Sequence, residues 1–459
     1  MPKDLRTFIA ANEDLILNVP KPVPLENLSD LIVQADRPVV FDNIEGFPGW
    51  RVADLFFRDR IAQAAVLETT PDKVTEVLGE RLAMPPREPL LVNDAPHKAR
   101  ILKGDDVDLR KIPGFQHGGR DPGPGIIVMN ICREPDNGAV NFSFTRLAPF
   151  EARRGTMLIA SSPHQRAIYE AWEARGEPMP MACVVGTHPA YEIMASYSVP
   201  DHLDKFGELE LVGNLLDERI EMVPCETIPL EVPAHAELVI EGYVLPHERR
   251  ADGPGPSQAL YYVPGVTQQP VFEAETVTMR EDPILRQHNT LMYSDHQPLI
   301  SLPHEGLLLA RLRGFGHDVH EVIYVPWGGT LTCVVQMTPK TEGEVRNVLT
   351  ATLGERWPNV KWAIAVDDDV DATSAEDLIW SLSTRVDADT DMFVIPNAKG
   401  HPIDPSARQT GDSPRDVVFS KWGIDATKPP LQHPEKRARF ERTLPPLQGA
   451  VDLKDYLDG

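Results

Sequence analysis

The first segment, to about Gly119, mixes two periodicities. In KDLRTFIAANEDLIL, Leu5, Phe8, Ile9 and Leu15 recur at helical spacing. RPVVFDNI is a short apolar run closed by turn residues Gly46, Pro48 and Gly49, and predicts a buried strand. TPDKVTEVLGERL predicts a helix with Thr70 as N-cap and Pro71 in its first turn. GGRDPGPG, residues 118–125, is a cluster of breakers and marks a domain boundary.

Beyond it the texture changes. GIIVMNICREP, AVNFSFTRL, TMLIAS and ACVVGTHP are short strand-like runs, as are AELVIEGYVLP, ALYYVPGV and PVFEAETVTMR. PHQRAIYEAWEARG predicts a helix of about three turns, and HPAYEIMASY starts another. The mixture points to a β-barrel-like core with attached helices rather than a doubly wound sheet. From about Pro303 the pattern shifts again. VHEVIYVPWGGTLTCVVQM predicts two strands around Gly328 and Gly329, TEGEVRNVLTATLGERW an amphipathic helix, and VKWAIAVDDDVD a strand ending in acids. SAEDLIWSLSTRV predicts a helix capped by Ser374. The tail beyond about Thr427 looks like a linker with a terminal helical hook. The expected division is residues 1–118, 119–302 and 303–459, in keeping with a chain of 459 residues, too long for one core.

Composition narrows the class. Apolar residues make up 42% and charged residues 25%, ordinary for a globular chain. No apolar run is long enough to span a membrane, and the N-terminus lacks the apolar core of a signal peptide, so the expectation is a cytoplasmic protein. The formal net charge of −24 excludes nucleic acid and anionic membrane surfaces as natural partners. Cys132, Cys183, Cys225 and Cys333 form no CxxC pair, which argues against a thiolate zinc site or a disulfide framework.

Candidate chemistry concentrates between Asn141 and Tyr262. Asn141, His164 and Glu208 offer an amide oxygen, an imidazole nitrogen and a carboxylate, a mostly hard set that suits Mn²⁺ or Mg²⁺ better than structural zinc. Their separations are no local metal signature. Arg146 can grip a carboxylate with two parallel hydrogen bonds. The run NFSFTR, SSPHQR, VVGTHPAY, FGELELVG and ERRADGPGPSQALYY resembles, in order and wording, the UbiD family of decarboxylases. That family uses prenylated flavin mononucleotide. The resemblance covers roughly residues 5–427. It implies an α+β fold: an N-terminal α/β segment, a central split β-barrel that binds the flavin, and a C-terminal α/β domain for oligomerisation, hence a homodimer or homohexamer.

The resemblance also implies roles. Asn141, His164 and Glu208 would hold the divalent metal that, with K⁺, secures the flavin phosphate. Phe144, Thr145, Arg146 and Pro163 would line the cofactor, and Lys399 would reach its phosphate. Arg146 matches the arginine of a Glu-Arg-Glu catalytic network. The family pattern E-G-P-[FY]-G-[DE] is altered here to Asp252-Gly253-Pro254-Gly255-Pro256-Ser257. Asp252 thus stands one methylene short in the first acidic position. Ser257 fills the second, and a hydroxyl cannot deliver a proton as a carboxylic acid does. Asp252 itself, a water relay, or a histidine among His288, His296 and His304 are the substitutes in view. VDDDVD, residues 366–371, lacks the ligand alternation and glycine of a calcium loop and reads as structural.

The implied activity is reversible, non-oxidative decarboxylation of an aromatic, heteroaromatic or α,β-unsaturated carboxylic acid. The altered acids lean the choice towards an aromatic or heteroaromatic one. A flavin prenyltransferase would supply the cofactor. The alternatives are an aromatic acyl-thioester or polyprenyl-hydroxybenzoate substrate, or a flavin-binding homologue without catalysis.

Overall fold

A computed structural model describes residues 2–159, 163–197, 207–262, 265–292, 294–355, 357, 359–413 and 416–443. Its centre is a closed barrel of six antiparallel strands: β1 (Ile126–Arg133), β2 (Val140–Pro149), β3 (Arg154–Met157), β4 (Met179–Val185), β5 (Leu238–Asp252) and β6 (Thr267–Met279). Around the circuit they run β1, β2, β3, β6, β5, β4 and back to β1. Closure matters because it leaves no open edge through the barrel wall. The inward positions of β1, β4 and β5, including Cys132, Met181, Cys183, Leu238 and Ile240, fill one continuous apolar core.

The N-terminal segment is not independent of this barrel. Leu17–Val19, Val39–Phe41 and Arg51–Asp54 form a small sheet, completed by Ile284–Arg286 after the barrel ends. The chain then enters a long helix, His296–Gly314, which runs unbroken through residues 302 and 303 despite Pro303 inside it. That helix crosses Val74–Ala83 with the two backbones in contact. A Cβ built on Gly79 would stand 2.7 Å from the carbonyl oxygen of Gly306. The C-terminal sheet has the order Val319–Tyr324, Thr332–Met337, Trp362–Val366, Val417–Ala426 and Met392–Lys399, with Arg408–Gln409 also paired to Val417–Ala426. Helix Glu344–Leu353 packs on one face of it, and Ala375–Arg385 borders the other core.

Most expected elements form. Asp4 caps helix Leu5–Ala11 by accepting from the Thr7 N–H at 2.8 Å. Ser374 accepts from the Asp377 N–H at 3.2 Å. Two expectations need correction, and one helix start was not expected. Thr70 makes no side-chain cap; a 3₁₀ turn, Pro71–Lys73, leads into helix Val74–Ala83 instead. Of ALYYVPGV, residues 259–262 are not a strand: Leu260 turns the chain at φ 63°, and Pro256 and Tyr262 make only an isolated bridge, while residues 263–264 lie outside the described residues. No element was expected at HQPLIS, where the helix begins. The expected hook beyond residue 443 lies outside the described residues.

VDDDVD is answered by cations of the protein itself. Arg437 and Lys428 meet Asp367, and Arg385 holds Asp369 at 2.7 Å. These pairs tie the Pro434–Arg437 segment and helix Ala375–Arg385 to the sheet, a structural role. Among the described residues no helix is long and apolar enough to cross a membrane.

Candidate active site

Two helix starts converge on β2. Asn141 is buried on this strand and donates from Nδ2 to Ser143 Oγ at 2.9 Å. Ser143 Oγ in turn meets Gln165 Oε1 at 3.4 Å. Gln165 follows His164 in the first turn of helix Pro163–Ala174, so this contact brings the His164 turn to the same strand. Glu208 opens helix Glu208–Leu216, is 1% exposed, and accepts from the Phe142 N–H at 3.3 Å. The Asn141 and Glu208 positions are therefore adjacent, separated by one backbone step. Burial pushes the Glu208 carboxyl up to about 8. A carboxylate taken this far out of water calls for a cation. Amide oxygen, imidazole and carboxylate together suit a hard divalent ion. The residues present fit the metal that the family resemblance implies.

Further along β2, Arg146 meets Asp252, the last residue of β5. Their ion pair is charge-assisted and nearly dry: the side chains are 11% and 4% exposed. The other Asp252 oxygen, Oδ2, accepts from Thr156 Oγ1 at 2.7 Å. Asp252 is thus held from two strands, β2 and β3, although it is shorter than a glutamate. Arg146 keeps two donors in reserve, because Nε and Nη1 are buried without a partner. Thr145 Oγ1 is engaged in structure, donating to Leu158 O at 2.9 Å. Phe144 lies edge-on to His288, ring centroids 4.8 Å apart. Pro163 begins its helix, and Lys399 sits exposed at the end of its strand in the C-terminal sheet, paired with Val418.

The breaker cluster turns out to be part of this site. Phe115 and Gly125 bridge, closing residues 116–124 into a loop at the foot of β1. A Cβ on Gly125 would stand 3.0 Å from Arg146 Cδ, so the loop lies against the arginine. Asp121, in the loop, is 9% exposed. Its Oδ2 accepts from the N–H groups of His117 and Gly118 at 3.0 and 3.1 Å, while Oδ1 is buried without a partner. Burial raises the Asp121 carboxyl above its usual range; Arg146 pulls the other way and Asp252 adds to the rise. Ser257, at the second acidic position, is buried and its Oγ also lacks a partner. The only sequence signal for Asp121 was an acid among glycines, which read as a boundary.

Of the three histidines named as candidate proton donors, beside Asp252 and a water relay, two are near. Burial brings His296 down to about 4, and burial beside Arg286 holds His288 well below the ordinary imidazole value. His117, which sequence reasoning passed over, is brought down to about 3 by burial and by Arg146. All three are neutral imidazoles near neutral pH: they can pass a proton but hold no extra one to give. His304 instead stacks on Trp357 at 4.4 Å. Behind His288 lies a network sequence reasoning missed entirely. Buried Arg286 pairs with Asp54 at 3.4 Å, Glu192 at 3.0 Å and Asp295. The last also accepts from the Phe56 and Phe57 N–H groups.

Comparison with known proteins decides the family. Residues 90–292 match the profile of the 3-octaprenyl-4-hydroxybenzoate carboxy-lyase Rift-related domain, and residues 297–426 match that of the C-terminal domain of the same carboxy-lyase. The chain belongs to the UbiD family. Among its curated relatives, the anhydromevalonate phosphate decarboxylase of Methanothermobacter thermautotrophicus is 31% identical over 73% of this chain and 77% of that protein. The one from Archaeoglobus fulgidus is 29% identical over 92% and 95%. Among solved structures, the UbiD-class enzyme HmfF of Pelotomaculum thermopropionicum, in complex with FMN, superposes with TM-score 0.89 at 31% identity, over 99% of this chain and 100% of that one. The Klebsiella pneumoniae 3,4-dihydroxybenzoic acid decarboxylase gives 0.87 at 25%, over 99% of each chain. The fold is UbiD-like, mixed α+β, and the chain is a carboxy-lyase of this family.

Proposed function

We propose that this UbiD-family chain catalyses reversible, non-oxidative decarboxylation of an α,β-unsaturated, aromatic or heteroaromatic carboxylic acid with prenylated FMN. The observation that carries the reading is Arg146: anchored by Asp252, it keeps two buried donors, Nε and Nη1, unpartnered. A planar cation held in a dry site with donors unspent can hydrogen-bond a substrate carboxylate and balance its charge. The reaction needs an electron sink that no side chain offers, and the bound flavin would supply it. In this reading Asn141, His164 and Glu208 hold Mn²⁺ or Mg²⁺, which with K⁺ secures the flavin phosphate. Phe144, Thr145 and Pro163 border the cofactor, and Lys399 is linked to the phosphate by family resemblance alone. Arg146 orients the substrate carboxylate, and Asp252 keeps Arg146 in place. The dry surroundings strengthen every such contact. Copies of the chain would assemble through the C-terminal domain as a homodimer or homohexamer.

A second reading concerns the substrate. The curated relatives at 29–31% identity are named for anhydromevalonate phosphate, an aliphatic phosphorylated acid, and this favours an unsaturated aliphatic acid over the aromatic one. One experiment separates them. The chain is co-produced with a flavin prenyltransferase, kept anaerobic, and incubated in D₂O with 3,4-dihydroxybenzoic acid, vanillic acid and anhydromevalonate phosphate. CO₂ release with a deuterated product from one of them supports decarboxylation and names the substrate type. No release from any of the three, with modified flavin bound, refutes these substrate classes.

A further inference from the structure

The Arg146 site holds one carboxylate, Asp252, where the family pattern has two, and the second position is a serine whose Oγ makes no hydrogen bond. Decarboxylation leaves an electron pair on carbon, and a proton must reach that carbon. Asp252 is poorly placed to give one, because both its oxygens are engaged, by Arg146 and by Thr156. The neighbouring imidazoles are neutral. Two carboxyls in the neighbourhood keep a buried oxygen with nothing bound to it: Glu192 Oε1, behind His288 and paired with Arg286, and Asp121 Oδ1, on the loop that lies against Arg146.

Asp121 and Ser257 lie on loops that are joined. The backbone N–H of Arg120 donates to Tyr262 Oη at 3.1 Å, and a Cβ on Gly118 would stand 2.8 Å from the same oxygen. Tyr262 belongs to the loop of Ser257, whose N–H donates to Tyr261 O at 2.8 Å and whose backbone bridge runs from Pro256 to Tyr262. From the other side, the Asp121 loop rests on Arg146 through Gly125. Asp121 thus comes to the arginine from the loop beside the one that lost its acid. The two N–H groups of His117 and Gly118 fix its carboxyl through Oδ2 and leave Oδ1 buried and unbonded.

We propose that Asp121 is the acid that gives the product carbon its proton, replacing the carboxyl that Ser257 cannot provide. The inference rests on the decarboxylase reading above. The step balances simply. The carbon–carboxylate bond breaks and CO₂ leaves. The electron pair stays on carbon and takes the Asp121 proton, and the Asp121 carboxylate regains a proton from solvent after product departs. The charged groups that bear on Asp121 are Arg146 and Asp252, with neutral His117 on its own loop and Tyr262 on the next. Arg146 favours the carboxylate, whereas burial and Asp252 favour the acid.

The test isolates proton transfer from CO₂ release. Flavin-loaded chain is incubated in D₂O with the decarboxylated counterparts of the same three acids: catechol, guaiacol and isopentenyl phosphate. Uptake of deuterium at the reacting carbon is followed. Asp121→Asn keeps an oxygen for the His117 and Gly118 N–H groups, so fold and flavin content stay at wild-type level. Deuterium uptake is expected to fall roughly 100-fold or more. Asp121→Asn/Ser257→Glu, which returns a carboxyl to the other loop, is expected to recover much of it. Uptake by Asp121→Asn within threefold of wild type overturns the proposal. A second readout needs no turnover. In infrared titration of the full-length chain, the protonated-carboxyl band that Asp121→Asn removes should persist to higher pH than that of an ordinary aspartate. A band that vanishes at the ordinary aspartate pH overturns the assignment. Wild type that labels none of the three compounds counts against the decarboxylase reading, and the infrared titration then still judges Asp121.

Discussion

Replacing Arg146 with methionine keeps much of the side-chain volume and removes the charge. The change strands Asp252 in the barrel wall with one remaining polar contact, the Thr156 hydroxyl at 2.7 Å. Because the two side chains are only 11% and 4% exposed, water screens little of the loss. Breaking a buried pair from one side costs about 3–5 kcal/mol. Asp252→Asn strands the guanidinium instead, at a similar cost. The double variant removes both charges together, and its cost should fall well short of the sum of the single ones. The coupling should therefore reach the upper part of the usual range for contacting residues, about 3 kcal/mol. Hydrogen exchange read by mass spectrometry on peptides from β2 and β5 gives the opening free energy of these strands in each variant. In parallel, Arg146→Met should bind flavin and show no turnover. Additive single-variant costs, with a coupling below about 0.5 kcal/mol, would falsify the buried pair as described, and normal turnover in Arg146→Met would remove the carboxylate-gripping role.

Three other outcomes are expected. Glu208→Ala should lose divalent metal and flavin in step, measured by elemental analysis and flavin absorbance; undiminished content of either separates Glu208 from the metal site. Gly125→Ala pushes a methyl to 3.0 Å from Arg146 Cδ and should lower kcat roughly 10-fold with flavin retained; unchanged kcat means the loop does not position the arginine. Glu192 is raised to about 8 by burial, against the pull of Arg286, so its folded value lies above its unfolded one. Its ionisation therefore opposes folding, and stability contributed by the neutral form is lost as pH rises from about 4.5 to about 8. Glu192→Gln should flatten that decline in thermal midpoint; an equally steep decline in the variant argues against Glu192 as its source.

Much of this was written in local pattern. Strand alternation and helix period located β2, β4 and the C-terminal elements, because each buries one face and the residues say which. The wording around Asn141, Arg146 and Glu208 named the family, and Asp252 stood where its pattern required. What stayed hidden is what only folding assembles. Asp54, Glu192 and the pair Arg286 and Asp295 come from three separate stretches and looked like ordinary charges until buried together. Asp121 was masked by its glycine and proline neighbours, which signal a turn whatever else they do. Helix His296–Gly314 was overlooked because Pro298 and Pro303 argue against a helix, and burial on several sides blurs its periodicity.

The meeting of Gly79 with Gly306 has a consequence for how such a chain can drift over generations. Two helices from sequence positions more than two hundred residues apart touch backbone to backbone there, and a methyl on Gly79 would stand only 2.7 Å from the Gly306 carbonyl oxygen, inside van der Waals contact. Neither position tolerates alanine alone, and changing both would only double the intrusion. Substitutions can accumulate freely on the outer faces of these helices while this one crossing stays frozen. Any lineage that loses either glycine must re-seat the helix whose first residue, His296, borders the active site.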